Sequence, residues 1–179
     1  MKTFHIKIAA AAICALGTAL IGSLPASAGT ATASLSITAS VASNCTISTA
    51  AVAFGAYDPI VTNAVTALAG TGSITIACTK ASVPTLKLDL GANPAGAVRQ
   101  MANGAERLPY ELYQPPTNVA GTACGALTQI WGTAGAAVLT TVAAPSKAAR
   151  TYNVCGTIPG GADVAVGAYA DTVIATVTF

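Results

Sequence analysis

The sequence predicts an all-β fold, arranged as a β-sandwich. Short runs of alternating apolar and polar residues recur along the chain, and Gly, Pro, Asn and Asp separate them. Beyond residue 28 no stretch keeps an apolar period of 3.6, so amphipathic helices are not expected. The alanine-rich pieces are interleaved with Thr, Ser, Val and Gly, which favour strands and turns. Turn signals at this spacing are typical of a sandwich.

Residues 1–28 are predicted to be a secretory signal peptide. Lys2, His5 and Lys7 form a basic start, residues 8–21 are almost wholly apolar, and residues 24–28 end in an Ala-x-Ala cleavage site. The apolar stretch is shorter than the roughly 18–20 residues that a membrane span needs. Cleavage after residue 28 would leave 151 residues, which is the size of one domain.

The whole-chain composition is misleading because the signal peptide carries its positive charge. The chain has 8% charged residues, a net charge of +2 and a mean hydropathy of +0.64. Removing Lys2 and Lys7 leaves six basic and six acidic residues, so no basic patch for nucleic acid is expected. His5 is the only histidine, and its removal excludes histidine-based nucleophilic catalysis and histidine-bearing zinc sites. We therefore expect no enzyme activity and no cofactor.

The most regular run covers residues 30–41 and is predicted to be a strand. Its even positions are Thr or Ser, and its odd positions are the apolar residues Ala31, Ala33, Leu35, Ile37, Ala39 and Val41. The run contains neither a charge nor a proline. An unpaired strand of this kind would be prone to aggregate, so another strand must pair with it.

Further strands are predicted in the rest of the chain. Cys45 and Ile47 share a face at the start, and Val52 to Gly55 lead into a turn at Asp58-Pro59. Later alternating runs cover residues 73–79, 86–90, 108–113, 152–158 and 172–179. In the last run one face carries Val173, Ala175, Val177 and Phe179.

Four cysteines remain after signal cleavage: Cys45, Cys78, Cys124 and Cys155. An even number in an exported chain indicates two disulfides, although their spacing does not choose among three pairings. Cys45 and Cys78 both lie on the apolar faces of their predicted strands. Cys155 lies on the opposite face from the apolar residues of its strand, where a loop containing Cys124 could reach it. These faces favour Cys45–Cys78 and Cys124–Cys155, with a swapped pairing as the alternative.

The residues that could carry chemistry have structural interpretations that we favour. Arg99 could bind a carboxylate, but a structural hydrogen bond or ion pair is preferred, and Trp131 is predicted to pack in the core or under a loop. Glu106 and Glu111 would lie on opposite faces of one strand, which makes a poor acid–base pair. Asp171 is expected to hydrogen-bond in a turn rather than to catalyse.

Several short motifs follow one another in a characteristic order. They are Phe54-Gly55-x-Tyr57, the Thr75–Thr79 strand with its Cys78, Arg99-x-Met101, Leu108-x-Tyr110-x-Leu112-Tyr113, Trp131-Gly132, Gly156-x-Ile158-Pro159 and the ending Gly167-x-Tyr169-x-Asp171-Thr172-Val173-x-x-x-Val177-Thr178-Phe179. Together they span nearly all of the chain beyond residue 28. In this order the chain resembles the spore coat protein U family, which includes subunits of archaic chaperone–usher pili.

The resemblance implies an incomplete immunoglobulin-like β-sandwich that lacks its last strand. A periplasmic chaperone would fill the resulting groove first, and at the outer-membrane usher the N-terminal extension of the next subunit would replace it. The expected division is a signal peptide at 1–28, a donor strand at 29–43 and the sandwich domain at 44–179. The groove would lie between the first core strand and the C-terminal strand, flanked by Ile47, Val173, Ala175, Val177 and Phe179.

The function implied by the resemblance is that of a structural pilus subunit. Such a subunit would be exported through the periplasm, would join identical or homologous subunits at the cell surface, and would contribute to adhesion and biofilm formation. A spore or cell coat protein that forms no pilus is the alternative. A periplasmic ligand-binding module is a weaker one, because the mature chain has few carboxylates and no catalytic or phosphate-binding motif.

Overall fold

The computed structural model describes residues 27–179, so most of the predicted signal peptide lies outside the described residues. Two units separate within the chain, residues 1–39 and residues 40–179. The described part of the first unit, residues 27–39, forms neither helix nor strand and is exposed throughout. All the strands belong to the second unit.

Eight strands and one short 3-10 helix occur within residues 27–179. The strands are β1 (Cys45–Ala53), β2 (Leu68–Cys78), β3 (Thr85–Leu88), β4 (Arg99–Asn103), β5 (Glu106–Tyr113), β6 (Leu139–Thr140), β7 (Arg150–Ile158) and β8 (Ala175–Thr178), and the 3-10 helix is Gly135–Ala137. The prediction of an all-β fold is therefore confirmed.

The strands form two antiparallel sheets that share one core. The first sheet has the order β1-β2-β7-β5-β4 and the second has the order β6-β3-β8. Alternation along the strands sends apolar side chains between the sheets, as on β2, where Ile74 and Ile76 are buried and Thr75 is only half-buried. The same pattern buries Leu86 and Leu88 from β3, and Tyr152 and Val154 from β7. The result is an incomplete immunoglobulin-like sandwich.

The C-terminal strand is shorter than its alternation predicts, since β8 begins only at Ala175. Ahead of it, Ala170 forms an isolated two-way backbone bridge with Ala102 of β4. The amide of Ile174 then donates to the Asp89 carboxylate at 2.9 Å. These contacts hold the segment before β8 between the two sheets and keep it out of a regular ladder. β6, with two residues, was not predicted at all.

Both favoured disulfide pairings are confirmed. Cys45 and Cys78 lie directly opposite each other in the β1–β2 ladder and are bonded, with their Cα atoms 4.1 Å apart. Cys124 is bonded to Cys155 and attaches the loop after β5 to the outer face of β7. Closing a loop of this length contributes about 3–4 kcal/mol in the chain-entropy view.

Arg99 is the most heavily hydrogen-bonded of the buried polar side chains, and it connects the two sheets. It lies on β4 with no exposed surface, and it forms a salt bridge with Glu111 on β5. Its Nη2 donates to the carbonyl oxygens of Asp89 at 2.7 Å and Trp131 at 2.6 Å, and its Nε also donates to Asp89 at 2.9 Å. Asp89 follows β3 of the other sheet. The preferred structural interpretation of Arg99 is confirmed.

Trp131 extends this buried network. Its indole is fully buried, and Nε1 donates to the carbonyl of Leu86 in the middle of β3 at 3.0 Å. Its own carbonyl accepts from Arg99 at 2.6 Å. The predicted core role of Trp131 is confirmed, and the side chain fixes the loop after β5 to the second sheet.

We predict that Arg99→Met lowers the free energy of unfolding by about 3 kcal/mol, because it leaves the Glu111 carboxylate and the carbonyls of Leu88, Asp89 and Trp131 without their charged partner. Urea denaturation of the purified subunit measures this. Arg107→Met on the same hairpin is the matched control, since Arg107 bonds only exposed carbonyls, and it should change stability by no more than about 0.5 kcal/mol. Equal effects of the two substitutions would contradict the role given to Arg99.

Candidate functional site

A groove opens between β1 and the segment that leads into β8. It consists of two adjoining cavities of about 610 and 620 Å³. Residues 49–52, 54, 169–173 and 175 line much of the first cavity, and residues 52–57, 59 and 164–169 line most of the second. Four residues line both cavities and so mark their junction, namely Val52, Phe54, Met101 and Tyr169. The two cavities therefore lie next to each other along the sandwich and meet at these residues.

The floor of the groove is the hydrophobic core itself. Ile74, Leu88 and Val154 reach the first cavity from both sheets, and Ile158 reaches the second. These side chains are at most 4% exposed, because the rims of the groove shield them. An apolar floor of this kind favours apolar side chains that enter from the open side.

One rim is the free edge of β1, and the other is the segment of residues 164–173 together with Ala175 at the start of β8. Among the described strands, β1 is hydrogen-bonded to β2 alone and β8 to β3 alone, so each leaves one edge of its backbone unpaired. Most of β1 is exposed, and β8 alternates between half-buried and exposed residues. Unpaired N–H and C=O groups along an edge are a template for another strand. The site thus combines an apolar floor with the free backbone edge of β1 and the start of the free edge of β8.

The structure places only part of the predicted flanking set in the groove. Val173 and Ala175 line the first cavity. Val177 is half-buried against the core opposite Leu86, while Ile47 is 38% exposed and Phe179 is 54% exposed. Those three residues do not line either cavity. The assignment of all five as acceptor flanks stays a prediction.

The second half of β1 is a rim that the sequence interpretation missed. It located the groove beside the start of β1, whereas the cavities run along residues 49–54 and continue to Tyr57. A usable signal was present in the sequence, because Val52 and Phe54 alternate with small residues just before a turn. Tyr57 anchors this far end, since its hydroxyl donates to the Pro159 carbonyl and accepts from the Ala162 amide, both at 2.8 Å.

The residues of the predicted donor strand are exposed. Leu35, Ile37 and Val41 are 85%, 86% and 84% exposed, and residues 27–44 as a whole form no strand. Ala31, Ala33 and Ala39 on the same apolar face are exposed as well. Three large aliphatic side chains in water are unfavourable by about 1.5–3 kcal/mol each relative to burial. The assignment of this run as a donor strand stays a prediction.

Tyr110 and Asp171 form the polar part of the first cavity. The Tyr110 hydroxyl donates to Asp171 Oδ2 at 2.6 Å, and Asp171 Oδ1 accepts from the Ala92 amide and the Asn93 side chain. Burial, followed by the neighbouring Asp171 carboxylate, raises the pKa of Tyr110 well above its ordinary value. Burial also acts to raise the pKa of Asp171, but the hydrogen bonds it accepts outweigh this and lower that pKa. Tyr110 therefore stays protonated and Asp171 stays ionised, so the two side chains do not act as an acid–base pair. Their hydrogen bond instead holds this rim of the cavity in place.

Residues 27–179 bring together no group of three or more His, Cys, Asp and Glu side chains that could hold a metal ion. Among the same residues, no helix has the length and apolar character needed to cross a membrane.

Comparison with known proteins gives matches over nearly the whole chain. The family model described as "Spore Coat Protein U domain" matches residues 31–176. "Protein U" of Myxococcus xanthus is 36% identical over 188 aligned residues, which cover 97% of this chain and 98% of that protein.

A solved structure also matches, at lower identity. It is the crystal structure of the CsuC-CsuE chaperone-tip adhesion subunit pre-assembly complex from archaic chaperone-usher Csu pili of Acinetobacter baumannii. The TM-score is 0.49 at 22% identity, over 78% of this chain and 40% of the solved chain. This chain thus corresponds to less than half of that solved chain.

The lowered pKa of Asp171 predicts a specific acid sensitivity. A carboxyl whose pKa is lower in the folded state than in the unfolded state stabilises the fold above its unfolded pKa of about 3.9, and that contribution is lost as the pH falls through the folded value. We expect Asp171→Asn to be about 1 kcal/mol less stable than the parent at pH 7. The difference should shrink at pH 2.5, as measured by urea midpoints. The exposed Asp163 provides the control variant, Asp163→Asn. An unchanged difference at both pH values would contradict the assignment.

Proposed function

This chain belongs to the Spore Coat Protein U domain family, and we propose that it is a structural subunit that polymerises by strand donation. In each joint, the segment of residues 30–41 from one copy would occupy the groove of another copy. Main-chain hydrogen bonds to the free edges of β1 and β8 would provide affinity, and alternate apolar side chains would fill the cavities. The family is one of structural proteins, and the chain is not an enzyme.

The observation that carries this proposal is the match between an exposed strand-like segment and an unoccupied strand position. The donor run presents its apolar side chains to solvent, and the groove has an apolar floor beside the unpaired edge of β1 and the start of β8. Twelve residues of extended chain span about 40 Å, which is more than the length of a nine-residue strand such as β1. Burial of Leu35 and Ile37 would each contribute about 1.5–3 kcal/mol, and each main-chain bond about 0.5–1.5 kcal/mol.

The form of assembly that we propose is a surface pilus built by a chaperone–usher pathway. It is supported by the order of motifs from Phe54-Gly55 to the C-terminal strand, through which the chain resembles a family that includes pilus subunits. Residues 1–28 would direct export and be removed, residues 29–43 would form the donor strand, and residues 44–179 would form the sandwich. A periplasmic chaperone would cover the groove until an outer-membrane usher joins the subunits. Adhesion and biofilm formation would follow from the surface filament.

A second candidate is a coat protein that forms no pilus. The match of residues 31–176 to a family described as "Spore Coat Protein U domain" supports it. Strand donation would serve a coat equally well, since it is a way of joining copies and does not fix the shape of the assembly. Electron microscopy of producing cells, with and without the gene, separates the two, because filaments favour the pilus and a continuous layer favours the coat.

Charge on the apolar face of the donor run should abolish assembly. We predict that the double substitution Leu35→Glu and Ile37→Glu removes SDS-resistant multimers, because two carboxylates would have to be buried on the apolar floor. Multimer ladders on unheated gels and size-exclusion chromatography of the purified subunit measure this. The fold should keep its urea midpoint, since both residues are exposed.

The control is Ser36→Glu, which places the same charge on the hydroxyl face of the run, between the two test positions. It should retain multimers. If the double variant assembled as well as the parent, the donor strand would be assigned wrongly.

A further inference from the structure

Three glycines lie side by side beneath the junction of the two cavities. Gly70 of β2 is directly opposite Gly156 of β7, and Gly72 is opposite Val154 in the same ladder. All three have ordinary extended backbone, so their conformation does not require glycine. Glycine weakens a strand interior and often marks a place where another group approaches closely. Glycine is therefore needed at these positions because a larger side chain would not fit.

The group that occupies this space is the aromatic ring of Phe54. A Cβ atom on Gly70 would lie 2.6 Å from Cδ1 of Phe54, and one on Gly156 would lie 2.7 Å from its Cζ. The Val52 side chain shares the site, at 2.8 Å from a Cβ on Gly156. A Cβ on Gly72 would meet the carbonyl oxygen of Ala50 at 2.7 Å, where the irregularity in β1 begins. The glycines therefore let β1 bend inward and let Phe54 lie close to the sheet.

How far the Phe54 ring stands out from the sheet matters because Phe54 lies at the junction of the two cavities. Phe54 and Val52 line both cavities, and Tyr169 and Met101 complete the junction. The ring also packs edge-on against Tyr110, with centroids 6.2 Å apart. Apolar carbons pack at about 3.5–4.0 Å, so a methyl group on Gly70 would push the ring outward by about 1 Å. Because Phe54 lines both cavities, such a displacement would change the passage between them.

We propose that Phe54, seated on Gly70 and Gly156, is the residue that determines whether a strand can pass through the junction of the groove. With the ring on the glycines, the two cavities are continuous and accept one uninterrupted strand. With the ring raised, the passage narrows and the strand can enter only one cavity. This inference rests on the proposed strand-donation function and adds a specificity-determining residue to it.

The test measures uptake of a fluorescent peptide with the sequence of residues 30–41. It uses the chain carrying Leu35→Glu and Ile37→Glu, which keeps its own donor run out of neighbouring grooves. In that background, Gly70→Ala should slow peptide uptake by about tenfold or more, which corresponds to about 1.4 kcal/mol. Adding Phe54→Ala to Gly70→Ala should restore the rate to within about threefold of the background.

If Phe54 only stabilised the fold, adding Phe54→Ala to Gly70→Ala would lower stability and leave peptide uptake slow. The proposal predicts a different combination. Removing Phe54 takes away further packing, so stability should fall in Gly70→Ala/Phe54→Ala even as uptake recovers. Phe54→Ala alone should speed uptake while it lowers the urea midpoint, which keeps the test informative if Gly70→Ala does not fold. Gly125→Ala is the control glycine, because its added Cβ would meet only Pro116, at 3.2 Å.

The outcomes separate this inference from the function on which it rests. If the background chain takes up no peptide, strand donation itself is wrong. If it takes up peptide at a rate that Phe54→Ala does not increase, or if the double substitution stays as slow as Gly70→Ala, the role of Phe54 is wrong and strand donation stands.

Discussion

The structure depends on the buried guanidinium of Arg99. An immunoglobulin-like sandwich that lacks a strand loses much of the contact that holds its two sheets together. Here the Arg99 side chain compensates for that loss from β4, the edge strand at the opposite side of the sheet from β1. Arg99 on β4 donates to carbonyls of Asp89 and Trp131 and pairs with Glu111. Arginine suits this position because its planar group offers five donors in a fixed arrangement. The sheets are thus joined by directional bonds as well as by apolar packing.

This connection explains how the sandwich can remain open along β1 and β8. Arg99, Trp131 and the Tyr110–Asp171 pair fix the second sheet and the segment before β8. The Cys45–Cys78 bond fixes the start of β1 to its neighbour. The groove between them then keeps its apolar floor and its free backbone edges without collapsing. In the proposed function, a strand that enters from another copy would cover the apolar floor and pair with the free backbone edges at the same time.

Local patterns in the sequence predicted the strands that lie in the middle of the sheets. β2, β5 and β7 alternate with period 2, and their inward residues are the buried core. The disulfide pairing followed from the same rule, because a side chain's face is set by its position in the strand. The rule failed before β8, where Asp89 and Ala102 hold the backbone through contacts between distant segments. Alternation cannot predict such contacts, since it contains no information on which segments meet.

The sequence by itself determined an all-β chain with two disulfides, no histidine beyond residue 28, and an alternating run without charge at residues 30–41. Each of these is a property of composition or of period-2 geometry. Only the tertiary structure decided where the groove lies and what holds it open. The four acceptors of Arg99 come from three separate segments, and Phe54 lies over glycines from β2 and β7. From the sequence alone, a glycine within a strand is expected only to weaken that strand. The tertiary structure shows that each glycine leaves space for a side chain from another segment.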